Sequence, residues 1–131
     1  MIARVLQPEG WTRPRGYANG ISASGRLIFV AGQIGWDERE RMVEGGFVPQ
    51  VRQALKNVVA VLAVDGARPE HLVRLTWYVT DREAYLGAGA ALGAAYREVI
   101  GKHYPAMSAV QVKALMETGA LVEIEATAVV P

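Results

Sequence analysis

From Val122 to Ala128 the chain alternates strictly: Val122, Ile124, Ala126 and Ala128 are apolar, and Glu123, Glu125 and Thr127 between them are polar. Successive side chains of a strand point to opposite faces. Such a segment has one dry face, which the fold must cover with an apolar layer, and one polar face. Two helices can supply the cover. Val51, Ala54, Leu55, Val58, Val61 and Leu62 recur at helical spacing, with Pro49 suited to a first turn and Asp65-Gly66 to a stop. Thr80-Asp81-Arg82-Glu83 reads as a capping box opening a second helix, on which Tyr85, Leu92, Tyr96 and Val99 share a face. Gly87, Gly89 and Gly93 each cost that helix about 1 kcal/mol against alanine. Close packing against a sheet is the expected reason for them.

Ile2 to Leu6 and Tyr17 to Ser22 read as short strands, the second followed by a Ser24-Gly25 turn. Leu27-Ile28-Phe29-Val30-Ala31 is a continuous apolar run ending at Gly32, which predicts a strand buried on both faces. Val73, Leu75, Trp77 and Val79 alternate with Arg74, Thr76 and Tyr78, and Met107, Ala109 and Gln111 alternate with Ser108 and Val110. The order strands, helix, strand, helix, strands gives the α+β class, with both helices on one face of a single sheet. The other face is expected to carry Glu123, Glu125, Gln111 and Met107, and a face of that mixed character is solvated or meets another subunit.

Residues 1–131 are expected to form one domain, since half of them are hydrophobic and 21% are charged. With no cysteine there are no disulfides, thiolate metal sites or cysteine nucleophiles. His71 and His103 lack ligand spacing, so a zinc site is not expected. The net charge is +1 and the basic residues are scattered, which gives no reason to propose nucleic acid or a membrane surface as a partner. With no apolar run long enough to span a bilayer, the expectation is a soluble cytoplasmic protein.

Glu123 and Glu125 project from one face of the last strand. Paired carboxylates do general acid–base work when burial perturbs them, and are otherwise the wetted side of a strand. Here a resemblance becomes specific. Pro105-Ala106-Met107-Ser108 followed by Val122-Glu123-Ile124-Glu125-Ala126 is similar to the signature of the RidA (YjgF) family, in which a proline-alanine-arginine-serine strand start precedes a glutamate-isoleucine-glutamate-alanine strand. Phe29-Val30-Ala31-Gly32-Gln33, Gln53-Ala54-Leu55-Lys56-Asn57-Val58 and Tyr17 match further family segments in order and spacing.

The resemblance implies a single mixed six-stranded sheet with two helices on one face, of the kind also called chorismate-mutase-like. It also implies a homotrimer with a cleft between each pair of adjacent subunits. The typical member hydrolyses reactive enamines and imines to a 2-oxo acid and ammonia without a cofactor, and its arginine pairs with the substrate carboxylate. This chain has Met107 at that arginine's position, Ala31 where serine is usual, and Gly89 or Ala90 near the family's second-helix asparagine. The implied site is Glu123 and Tyr17 as catalytic groups, with Met107, Ala31, Gly32 and Gly89 lining the substrate. Arg13 and Arg15, just before Tyr17, are either ordinary exposed loop arginines or the source of a replacement cation. Two readings stay open. One is hydrolysis or tautomerisation of an enamine or imine outside the 2-aminoacrylate type, with an aminomuconate-like compound as one candidate. The other is a non-catalytic trimer that binds an apolar or aromatic metabolite or a protein. The nuclease activity attached to some relatives fits poorly with a nearly neutral chain.

Overall fold

The computed structural model describes residues 3–131, so Ile2 of the first expected strand lies outside the described residues. Strands β1 (Ala3–Leu6), β2 (Gly20–Ala23) and β3 (Arg26–Ile34) precede helix α1 (Phe47–Val64). After a 3-10 turn at Pro69–His71 come β4 (Leu72–Val79), helix α2 (Arg82–Val99), β5 (Ala106–Gln111) and β6 (Val122–Val130). The class is α+β with two helices and a mixed sheet, as expected.

The expectation of one continuous six-stranded sheet is corrected. Hydrogen bonding gives a four-stranded sheet in the order β3-β6-β4-β5 and a separate two-stranded ribbon, β1-β2. β4 and β5 are parallel, and the other pairs are antiparallel. Among the described residues the two sheets share no ladder. A single parallel bridge, Ala18 to Ala106, ties the N-terminal segment to the edge at β5. Gly16, at φ 76°, bends the chain just before that bridge, so the segment touches β5 without running along it. The second strand accordingly starts at Gly20 and not at Tyr17.

The alternation of β6 sets the layers. Val122, Ile124, Ala126 and Ala128 are buried toward the helices with Leu75, Trp77 and Val79 of β4. Helix α1 meets them with Val51, Ala54, Leu55, Val58 and Leu62, all at 0% exposure. Each large side chain among these contributes about 1.5–3 kcal/mol by leaving water. Val61, expected on the same face, is exposed, because it sits beyond the edge of the stripe. Three other expectations change. β3 is not buried on both faces: Val30 is buried and Ile28 packs on the core, whereas Leu27 and Phe29 are 56% and 74% exposed on the outer face. In β4 a bulge between Leu72 and Arg74 makes Leu72 the buried residue in place of Val73. Met107, Ala109 and Gln111 pair in register with Leu75, Trp77 and Val79, which puts them on the helix side and not beside Glu123 and Glu125.

The helix ends follow their chemistry. Asp65 and Gly66 stop α1, with Gly66 at φ 74°. Helix α2 is capped by Asp81, not Thr80: its carboxylate accepts from the Glu83 and Ala84 N–H groups at 2.9 and 3.3 Å. Close packing does not explain the glycines of α2. A Cβ at Gly87 or Gly89 would meet nothing, and one at Gly93 would meet the Arg97 guanidinium. Gly89 breaks the helix instead, with φ 50° and ψ −121°.

Helix α1 is clamped to the sheet by two amides. A Cβ at Gly35 would lie 2.6 Å from the Cβ of Gln50, so the helix rests directly on the chain leaving β3. Asn57 donates to the Ile34 and Trp36 carbonyls at 3.0 and 2.8 Å. Buried Gln50 donates to the Gly119 carbonyl at 3.0 Å and accepts from the Leu121 N–H at 2.8 Å, fixing the entry to β6. Gln50→Leu strands both backbone groups. We expect it to destabilise the protein by about 2–4 kcal/mol, read from urea unfolding, because buried groups left unpaired cost about 1–3 kcal/mol each. A loss below about 0.5 kcal/mol would mean that the loop before β6 repairs itself.

Candidate functional site

The sequence-derived site residues fall on the two faces of the sheet. On the helix side a cavity of about 550 Å³ opens between α2 and β5. Met107 enters it from β5, Gly89 from the break in α2, and Tyr17 from the segment bridged to β5. The inner wall is aromatic. Tyr96 stacks on Tyr104 with ring centroids 5.3 Å apart, Trp77 stacks on Tyr96 at 6.4 Å, and Tyr85 stands edge-on to Trp77 at 6.2 Å. Burial raises the Tyr85 and Tyr96 phenols above their ordinary pKa, so both are neutral at physiological pH. The Tyr96 hydroxyl is committed to the His103 carbonyl at 2.6 Å. The Trp77 Nε1–H is sealed from water without an acceptor among the described residues, at a cost of about 1–3 kcal/mol.

The second group lies on the outer face. Between Val30 and Gln33 the β3–β6 register shifts, and Ala31-Gly32 forms a bulge. A Cβ at Gly32 would collide with the Glu123 carboxylate, so glycine is what lets that carboxylate lie against the backbone. Glu125, one pleat away, is engaged elsewhere and accepts from the Tyr78 hydroxyl at 2.6 Å. That hydrogen bond raises the Tyr78 phenol above its ordinary pKa, and the negative charge of Glu123 adds to the effect. Ala31, Arg74, Thr76 and Glu125 line a shallow hollow of about 470 Å³ on this face.

The chain thus gathers Tyr17, Met107 and Gly89 in one place and Ala31, Gly32 and Glu123 in another. It does not bring the two sets together. Arg13 is exposed away from the cavity, whereas Arg15 lines it. The sequence reading missed Arg97, which also lines the cavity from α2. The available signal was its spacing from Gly93, one helical turn earlier on the same face. Among the described residues no cluster of histidine and carboxylate groups could hold a metal ion, and no helix is long and apolar enough to cross a membrane.

Comparison with known proteins follows the same lines. The family model described as Endoribonuclease L-PSP matches residues 12–130. A RutC family protein of Pyrococcus horikoshii is 34% identical over 129 residues, covering 97% of this chain and 98% of that protein. A 2-iminobutanoate/2-iminopropanoate deaminase of Capra hircus is 34% identical over 105 residues, 79% of this chain and 73% of that one. The crystal structure of YyfB of Yersinia pestis, a Rid-family protein of unknown function, superposes with a TM-score of 0.88 at 33% identity, over 99% of this chain and 100% of the other. A model that matches nearly the whole chain and relatives above 30% identity agree with the fold described here: the chain belongs to the endoribonuclease L-PSP family, the RidA/YjgF proteins.

Proposed function

We propose that this chain is a homotrimeric deaminase, one domain per subunit, that hydrolyses or tautomerises a reactive enamine or imine outside the 2-aminoacrylate type at clefts between subunits. The separation of the two half-sites carries the reading. Tyr17, Met107 and Gly89 face a cavity on the helix side, and the Gly32–Glu123 pair lies on a face whose Leu27 and Phe29 are uncovered in the single subunit. A neighbour seated on that face would bury the apolar pair and join one subunit's Glu123 to another's Tyr17. The imine deaminase activity in the name of the Capra hircus relative supports the reaction class.

In this scheme a proton from solvent first adds to the enamine's carbon to give the iminium ion. Glu123 then takes a proton from water as the water oxygen bonds to the iminium carbon, giving a carbinolamine. That proton passes from Glu123 to nitrogen, the carbinolamine hydroxyl gives up its proton to solvent as the carbonyl forms, and the C–N bond breaks to release ammonia. Tyr17 is free for substrate, since its hydroxyl makes no hydrogen bond among the described residues and its side chain is exposed. Backbone groups near Gly32 would stabilise developing charge. Met107, at the position of the family's carboxylate-binding arginine, and Ala31, at that of its serine, set this chain apart from the small-substrate enzymes. The reaction would take place in the cytoplasm and need no metal or cofactor.

Three outcomes are expected. Light scattering should give three times the 14.2 kDa chain mass, and Phe29→Asp should break the assembly. A wild-type monomer at micromolar concentration would defeat the cleft model. Glu123→Gln should abolish ammonia release with little change in melting temperature, while Glu125→Gln keeps turnover and only weakens the hydrogen bond from Tyr78, since an amide oxygen still accepts. Activity on 2-aminoacrylate should fall short of arginine-bearing relatives by roughly 30-fold or more, as expected for an absent charge-assisted contact worth about 2–5 kcal/mol. Met107→Arg should recover part of it. Equal rates from the unaltered chain would show that the β5 arginine is dispensable.

A further inference from the structure

The cavity between α2 and β5 has an electrostatic character that its sequence motif does not announce. None of its lining residues is acidic, and two are arginines, Arg15 and Arg97. Arg97 has no ion pair and no hydrogen bond among the described residues, whereas Arg26, Arg41, Arg52, Arg68 and Arg82 each have a carboxylate partner. Its neighbour Glu98 does not neutralise it, because Glu98 pairs with Arg52 at 3.2 Å across to α1.

The missing side chain at Gly93 gives Arg97 its place. A Cβ at position 93 would stand 3.1 Å from one terminal nitrogen of Arg97 and 3.8 Å from the guanidinium carbon. The guanidinium therefore lies back over Gly93, along the helix wall of the cavity and toward the break at Gly89. The same cavity has a neutral, largely apolar wall: the stacked Tyr96 and Tyr104, Trp77, Leu92 and Met107. A cation unpartnered among the described residues, in a cavity with an aromatic wall, recognises an anionic head on a flat or bulky apolar body. A volume of about 550 Å³ suits a ligand well beyond three or four carbons.

We infer that Arg97 is the anion anchor of this cavity, and that the ligand is a monocarboxylate with an aromatic or similarly bulky apolar body. This rests on the reading of the cavity as one half of an imine-deaminase cleft. It assigns the carboxylate contact to the helix wall, in place of the strand position that Met107 occupies. The substrate class that follows is 2-imino acids, or their enamines, with large apolar side chains.

The test uses the assembled wild-type protein and two stable probes of one shape, 3-phenylpropanoate and the uncharged 3-phenylpropanamide, titrated calorimetrically. Wild type is expected to bind the acid about tenfold or more tightly than the amide, in keeping with a charge-assisted contact. Arg97→Gln should erase that preference while leaving amide binding unchanged, and Arg13→Gln should leave the preference intact. Equal binding of the two probes by wild type, an undiminished preference in Arg97→Gln, or no saturable binding of the acid would each overturn the proposal. A preference lost in Arg15→Gln but kept in Arg97→Gln would move the anchor to Arg15 and overturn it equally. Ammonia release from the imine of oxidised phenylalanine separates this inference from the one beneath it. If Glu123→Gln still turns over while Arg97→Gln loses the acid preference, the anchor stands and the catalytic assignment fails. If Glu123→Gln is dead while Arg97→Gln binds as wild type, the catalytic assignment stands and the anchor fails.

Discussion

The pairing of β6 with two neighbours at once is the interaction on which the rest of the molecule depends. β3 and β4 do not touch each other as strands; each is hydrogen-bonded to β6. The period-2 alternation of that strand decides which side of the sheet the helices cover, because a one-residue slip would turn Glu123 and Glu125 into the core and expose Ile124. The same register places Glu123 against the bulge at Gly32 and hands Glu125 to Tyr78. The carboxylate left without a phenol partner and the one that has it are thus distinguished by strand register alone, although the two lie on one face and are chemically alike.

Much of this was legible in the chain. Alternation in β6 and helical spacing in α1 identified both elements, since each is amphipathic at its own period and needs no tertiary information to be read. The apolar run of β3 misled for a physical reason. A strand with apolar residues on an exposed outer face looks, in sequence, like one buried on both sides, and Leu27 and Phe29 are apolar although that face is uncovered. The face of Met107 was misread because a parallel pair is ordered by its neighbour, and parity counted within β5 does not reveal which side Leu75 has chosen. The bulges at Val73 and at Ala31-Gly32 each shift parity by one residue, which no periodicity argument detects.

The candidate residues came from the sequence one at a time, without a place. Tyr17, Met107, Gly32 and Glu123 came from a family pattern, and the pattern does not say that a single subunit holds them on different faces. Arg97 was hidden for the opposite reason. It belongs to no motif, and its place in the cavity wall depends on the absence of a side chain at Gly93, which only the three-dimensional structure discloses. The glycines of α2 show the same limit. Their helix cost was evident, but the benefit differs at each: Gly89 breaks the helix beside the cavity, and Gly93 leaves room for a guanidinium.

The position of β6 has a consequence for how the molecule comes to be folded. Arg26 pairs with Val130 and Ile34 with Glu123, so β3 waits for a partner at the far end of the chain, whereas β4, α2 and β5 follow one another directly. Of the described strands the one that joins β3 to β4 is made last. Until it arrives, β3 has both edges open, and α1 has the dry side of only one strand to rest upon. Assembly of the sheet is therefore a late, long-range and concerted event, slow by the rule that non-local contacts must recover their loop entropy before they stabilise anything. An apolar strand with unpaired edges in the waiting chain is the segment most prone to pair with another copy before its own sheet is complete.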